Sequence, residues 1–307
     1  MRLFFSVVIT VYNKADFIES TIKSVLNQTY KNFEIIVIND GSTDRSEAII
    51  KTHNDTRLKL ITTENKGASH ARNLGIQNAN YDYIALLDGD DLWDKSYLKV
   101  FCEAIKTFPE QHIFACAASH KYGNKLIPVK YSFEQSECFK LHNYFEASKK
   151  HTIITSSSVV FHASILEQTG LFDPTIVSGQ DTDMWIRFGL FASIVFINKK
   201  LAIYNHNPYS LSNTTFELKH KSKFNKYINF EKENAPLKAF LDRNRYSMAI
   251  LSKIVEDPKS FQYYNTHINY NNLDSKQRFL IKSPRWLLRI LIKLKSLKKQ
   301  KLYYPNR

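Results

Sequence analysis

The sequence is short of cysteine, has no long apolar run, and its last stretch contains no acid. Only three cysteines occur in 307 residues, Cys102, Cys116 and Cys138. They are odd in number, widely spaced and in no metal-ligand pattern. This excludes a disulfide framework or a cysteine-zinc module and reads as free thiols in a reducing compartment. No segment approaches the ~20 apolar residues that span a bilayer. The opening MRLFFSVVITVYN has one Arg before an apolar run, but the run is short and no small-residue cleavage site follows, so it reads as a buried strand rather than a signal. Internal repeats and low-complexity tracts are absent, as is the glycine-rich, lysine-bearing loop of many nucleotide-hydrolysing enzymes. From residue 276 to the last there are 11 Lys/Arg and no Asp or Glu.

What is present is an ordinary globular composition, 43% hydrophobic and 23% charged, in a chain long enough for one large α/β domain and an appended element. The charge divides it. Residues 1–214 hold 22 basic and 22 acidic side chains, and residues 215–307 hold 21 and 7, which is the whole net excess of +14. The expected organisation is a catalytic domain over 1–214, with halves at about 1–110 and 111–214, and a basic helical region over 215–307.

Strand-like and helix-like segments alternate through the first half. Apolar strands are expected at Phe4–Val11, Phe33–Ile38, Leu58–Thr62 and Tyr83–Leu87, and helices at Ala15–Asn27, Thr43–Ile50 and Gly67–Asn78. This pattern predicts an α/β fold with an open, mostly parallel, Rossmann-like sheet covered by helices on both faces. Such a sheet binds ligands beyond the carboxyl ends of its strands. The pattern loosens after residue 110, with strands expected at His112–Ala118, Ser156–His162 and Ser193–Ile197, a loop or hairpin over Lys121–Glu137, and a helix over Asp181–Phe191.

Four polar clusters follow the strands or open a helix. They are Thr10-Val11-Tyr12-Asn13, Asn39-Asp40-Gly41-Ser42-Thr43-Asp44, Asn65-Lys66-Gly67 through Arg72-Asn73, and Asp88-Gly89-Asp90-Asp91. Each alone has a plain structural reading: D-G-S-T-D is also a turn and helix cap, and an Arg on a helix is commonly a salt-bridged side chain. The Asp88–Asp91 cluster is harder to explain so. Three carboxylates in four positions repel one another unless a cation is near, and Mg²⁺ favours one or two carboxylates together with substrate phosphates. Asp91 reads as a loop residue rather than a ligand.

In this order the clusters resemble the inverting family 2 glycosyltransferases of GT-A fold, over about residues 5–212. The resemblance implies a donor-binding role for Thr10 and Tyr12 beside a nucleotide base, for Asp40 at the base or ribose, and for Asn65 and Arg72 near the nucleotide. Asp88-Gly89-Asp90 matches the D-x-D motif, implying that Asp88 and Asp90 hold Mn²⁺ or Mg²⁺, with His206 a further candidate ligand. Gly179-Gln180-Asp181-Thr182-Asp183-Met184-Trp185 resembles the family's E-D-x-x-x-W stretch with Gln180 in place of Glu, and makes Asp181 the base. Taken alone, Asp181 and Asp183 would read as dipole-favoured residues of a helix start.

The implied activity is transfer of a hexosyl or N-acetylhexosaminyl group from a nucleotide-sugar, a UDP-sugar by expectation, to a glycan or lipid-linked acceptor in surface polysaccharide synthesis. A nucleotidyltransferase or a non-catalytic sugar-nucleotide or membrane-binding protein are the competing readings. No nucleic-acid module is recognisable. The segment Ser283–Lys295 is amphipathic, with Trp286 and Arg289 beside Leu and Ile, which suits a helix on an anionic membrane surface or one packed on the domain. The expected location is cytoplasmic, peripheral to the membrane.

Overall fold

Four apolar runs pair side by side in the computed structural model, which describes residues 2–205 and 224–297. Strands β1 (Phe5–Val11), β2 (Phe33–Asp40), β3 (Leu58–Thr63) and β4 (Tyr83–Asp88) lie parallel in the order β3-β2-β1-β4. Thr10 stands opposite both Ile38 and Asp88, so β1, β2 and β4 end level with one another. The connections are α1 (Ile18–Leu26), α2 (Ser46–Lys51) and α3 (Ala68–Gln77). Alternation within β1 divides the core: Phe5, Val7, Ile9 and Val11 pack with Ile18, Ile22 and Val25 of α1, while Val8 faces Ile76 of α3. Gly75 lets α3 lie against the sheet, because a Cβ there would meet Val8 Cγ1 at 2.2 Å.

Beyond β4 the strands are β5 (Leu92–Trp93), β6 (Ile113–Tyr122), β7 (Lys125–Pro128), β8 (Phe139–His142), β9 (Val159–His162) and β10 (Ile194–Asn205). The helices among them are α4 (Tyr97–Thr107), α5 (Tyr144–Ala147), α6 (Leu166–Thr169) and α7 (Gln180–Phe191). The sheet continues β4-β9-β6-β10-β5, with β7 against β6 and β8 against β10. Parallel pairing, expected to dominate, holds in the first half and between β6 and β10, but β9 enters antiparallel to both β4 and β6. The chain reaches β9 through the β6–β7 hairpin, β8 and the short α5 rather than through a crossover helix, so nothing forces it to run parallel.

The last described segment is helical: α8 (Phe230–Glu233), α9 (Ala235–Ile254), α10 (Pro258–Thr266), α11 (Ser275–Lys282) and α12 (Arg285–Leu297). The Asn234 side chain accepts from the Leu237 amide, capping α9, and Pro236 sits in its first turn, where no amide is needed. Leu237, Phe240 and Leu241 of α9 enter the core beneath α5 and α7. Its second half builds a separate core with Tyr264, Leu273, Leu280, Ile281 and Leu288. One helix thus serves both cores. Among the described residues no helix is long and apolar enough to cross a membrane.

Candidate active site

The loops at the level ends of β1, β2 and β4 are joined by their own polar side chains. Asn13, at φ 51°, accepts from the Thr43 amide at 2.8 Å and donates its own amide to Ser42 Oγ at 3.0 Å. The Lys14 amide donates to Ser46 Oγ and the Ala15 amide to Asp44. Burial acts to raise the Asp44 carboxyl, but bonds from Ser46 and the Ala15 amide outweigh it and hold it below the usual range. The D-G-S-T-D cluster is therefore a clasp between two loops. Asp40, buried, accepts from the Lys66 and Gly67 amides, 2.9 Å each, and fixes the turn that opens α3. Each of its oxygens retains a lone pair. Gly41, at φ +69°, lets that turn approach: a Cβ would lie 2.6 Å from the Asn65 amide nitrogen.

The centre of the site is Arg72. From α3 its buried guanidinium donates to Asp88 at the end of β4 (Nη2–Oδ1 2.7 Å) and to Asp181 in the first turn of α7 (Nη1–Oδ1 3.0 Å). Burial opposes the charge, but Asp181 and then Asp88 outweigh it and raise the Arg72 pKa further. The face of Phe172 lies 5.4 Å from the guanidinium carbon. The adjoining Asn73 bonds the Phe172 backbone twice, through its Nδ2 at 2.8 Å and its Oδ1 at 2.9 Å. Neighbouring residues of α3 thus position both the carboxylate of α7 and the segment leading to it. The Asp181 side chain is one-third exposed, with Ser156 Oγ at 3.4 Å.

The other two acids of the cluster have separate partners. Asp90 pairs with Lys14. Asp91 is buried and accepts from Ser157 Oγ (2.6 Å) and the Asn205 amide (3.1 Å), while burial, then Asp90 and Asp88, push its carboxyl well above the usual range. That is the loop role expected of it. Gly89 brings the turn onto β1, where a Cβ would meet the Thr10 carbonyl at 2.8 Å. Among the described residues no three acidic, histidine or cysteine side chains gather as a metal cluster. Asp88 and Asp90 supply hard oxygens at the sheet edge, a donor set suited to an ion that arrives with a diphosphate rather than one caged by protein alone.

Thr10 is half-buried at the end of β1, and Tyr12 and Asn65 are exposed on the two loops beside it. Asp40, Arg72, Asp88, Asp90 and Asp181 therefore share one edge of the sheet with them. His206 lies outside the described residues. Lys14, Ser157 and Asn205 escaped the sequence reading. Ser157 accepts from the Asp88 amide as well as donating to Asp91, and the Asn205 side chain donates to the Asp90 carbonyl at 2.5 Å. Their only sequence signal is adjacency, to Asn13, to a serine run before a strand, and to His206. Asp183, two residues after the expected base, is fully buried between Lys226, Arg187 and Tyr227 and ties α7 to the C-terminal region.

A profile described as "Glycosyl transferase family 2" matches residues 6–170, more than half of the chain. The chain belongs to glycosyltransferase family 2. It is 37% identical over 199 residues to an uncharacterized glycosyltransferase of Rickettsia conorii, covering 64% of this chain and 32% of that one. To the minor teichoic acid biosynthesis protein GgaA of Bacillus subtilis it is 30% identical over 194 residues, 58% of this chain and 41% of GgaA. This family 2 chain thus spans well under half the length of either relative. Among solved structures, S. aureus TarS superposes with a TM-score of 0.67 at 20% identity, over 96% of this chain and 54% of TarS. TarS 1–349 in complex with UDP-GlcNAc gives 0.62 at 18%, over 88% and 91%. These two likenesses bear on the fold, which is the expected GT-A architecture with a helical C-terminal region.

Proposed function

We propose that this chain transfers a sugar, with inversion, from a nucleotide-diphosphate sugar to a hydroxyl of a glycan or lipid-linked acceptor in surface polysaccharide synthesis. UDP-sugars are the proposed donors, hexosyl or N-acetylhexosaminyl the transferred group, and residues 1–214 the catalytic domain, with the donor half over about 1–110. The observation that carries this reading is the single guanidinium of Arg72 held between Asp88, on the donor edge, and Asp181, on the acceptor side. GgaA, by name a teichoic acid biosynthesis protein, and TarS, solved with UDP-GlcNAc, support the substrate classes.

In this mechanism Thr10, Tyr12, Asn65 and Arg72 border the nucleotide, and Asp40, which also holds the loop that carries Asn65, accepts from the base or its ribose. Mn²⁺ or Mg²⁺, when bound, supplies positive charge to the leaving diphosphate, and Asp90, Asp88 and His206 are the residues proposed to hold it. Asp181 accepts the proton of the acceptor hydroxyl. The acceptor oxygen forms its bond to the anomeric carbon on the face opposite the leaving group, and the bond to the diphosphate oxygen breaks with its electron pair. One displacement needs no second carboxylate nucleophile, as in inverting glycoside hydrolysis. Incubating the purified chain with a panel of nucleotide sugars and Mn²⁺ should release nucleoside diphosphate from at least one of them. Binding without release from any would favour a non-catalytic sugar-nucleotide protein.

The C-terminal region is proposed to rest on the cytoplasmic face of an anionic membrane through 276–307. On α12, Leu288 is fully buried in the helical core, while Trp286, Ile290 and Leu294, four residues apart, are 63%, 47% and 54% exposed, with Arg289 exposed beside them. Phe279 of α11 is 61% exposed. The helix is thus both packed and apolar on its outer side, and each nearby basic residue adds about 1 kcal/mol at an anionic surface. Lys298 and Lys299 lie outside the described residues. Co-sedimentation should be strong with anionic vesicles and weak with neutral ones, and should fall several-fold in Trp286→Ala. Equal binding to both vesicle types would sink the membrane proposal.

A further inference from the structure

Away from the sheet edge, the chain between α5 and β9 forms a cleft with α9 and α11 of about 420 Å³, within the range of small-molecule sites. Its lining includes Lys130, Lys149, Lys150, His151 and Arg243, with Asp274 as the only carboxylate among the described residues. The acid is already engaged, since it caps α11 by accepting from the Gln277 amide at 2.7 Å. The three lysines are exposed and pair with no carboxylate among the described residues.

Arg243 is the unusual member. It is nine-tenths buried and, among the described residues, forms no ion pair, leaves its Nε without a partner, and makes one long bond from Nη2 to the Phe145 carbonyl at 3.4 Å. Its neighbour Asp242 lends it charge but no bond, its oxygens being held by Lys238, Arg245, Asn272 and the Asn269 amide. Burial lowers the Arg243 pKa from its ordinary value, even with Asp242 nearby. A buried guanidinium without a hydrogen-bonded counter-charge is costly. This one lies in a cleft whose rim carries three more positive charges.

We propose that this cleft binds a phosphate ester, and that its occupant is a phosphodiester of the acceptor chain. The fork of Arg243 suits phosphate oxygens, and the lysines add charge beyond what one carboxylate would use. The donor's diphosphate has a different place, at the Lys14–Asp90 edge of the sheet. A lipid headgroup on a flat bilayer would meet the exposed lysines without reaching the recessed Arg243, whereas a flexible chain can enter. The cleft is also near the chemistry: His151 and Ser156 are five residues apart, at most about 18 Å of chain, and Ser156 touches Asp181. An acceptor anchored at the cleft would extend its next units toward the base, so this inference rests on the acceptor reading above.

The test uses the full chain and three probes: inorganic phosphate, a fluorescent glycerol-phosphate oligomer, and phosphatidylglycerol vesicles. The oligomer should bind more tightly than inorganic phosphate. Its affinity should fall at least tenfold in Lys149→Gln/Lys150→Gln and in Arg243→Gln, with nucleoside diphosphate release from the donor unchanged in the lysine variant. Lys149→Gln/Lys150→Gln keeps the test decisive if Arg243→Gln is poorly folded, because both lysines are exposed. Unchanged oligomer affinity in the lysine variant overturns the proposal. So does a loss seen only with vesicles, which would assign the charge to a membrane. Absence of donor turnover in the wild type would overturn the catalytic reading instead, and oligomer binding would still decide the cleft.

Discussion

Asp181→Asn should lower kcat for sugar transfer by about 10³-fold, within the range a positioned general base supplies, while the donor still binds. Asparagine keeps the size of the side chain and its Oδ1, so the 3.0 Å contact with Arg72 Nη1 can persist. It removes the group that accepts the hydroxyl proton. Asp88 remains on the other arm of Arg72, so the guanidinium keeps one full counter-charge and the change in Tm should be small. The measurement is kcat and KM from released nucleoside diphosphate, with donor Kd by calorimetry. Wild-type turnover in the variant would remove Asp181 as base. Parallel loss of donor affinity would move it to the donor side of the site. The Gln180 that stands where the family pattern has Glu is buried at the start of α7, so it brings no second carboxylate to rescue the variant.

The parallel half of the fold is legible because three of its runs, such as VVIT and IIVI, are apolar on both faces and each is followed by a polar cluster. The second half is not, for reasons visible in particular residues. The segment Tyr97–Thr107 carries Leu98, Phe101, Cys102 and Ile105 at helical spacing, but Ser96 makes no side-chain cap and no acid marks its first turn. The place of β9 between β4 and β6 is set by long-range pairing, Tyr83 with His162 and Ile113 with Phe161, which no local pattern encodes. The site was legible as a set of motifs but not as a division of labour. Asp40 looks like a ligand-facing acid in sequence, and in the fold it also accepts two backbone amides that hold a loop. Asp91 has the same composition around it as Asp90, and only the side-chain partners separate the two, Ser157 and the Asn205 amide for Asp91 and Lys14 for Asp90. The cleft around Arg243 joins residues from 130, 149–151 and 243, a juxtaposition made by α9 crossing from one core to the other.

Arg72→Met should damage both stability and catalysis, and the pairing of the two effects tests the architecture of the site. Removing one partner of a buried ion pair typically costs 3–5 kcal/mol. Here Asp88 and Asp181 are each about one-third exposed and can recover water, so a loss of about 2 kcal/mol is the expectation, read as a lower midpoint in denaturant. The catalytic loss should be larger in consequence. Without the guanidinium, two carboxylates face one another across an uncompensated gap, the one on α7 loses the contact that aims it, and kcat should fall by about 10²-fold or more. Lysine is a poor replacement, because a single ammonium cannot reproduce two divergent N–H donors of a planar fork. If Arg72 acts through Asp181, Asp181→Asn in the Arg72→Met background should add far less than its own 10³-fold, since both changes remove the same positioned base. Multiplying losses in that double-mutant cycle would mean that Arg72 serves the donor through Asp88 alone, and that the contact between α3 and α7 is structural.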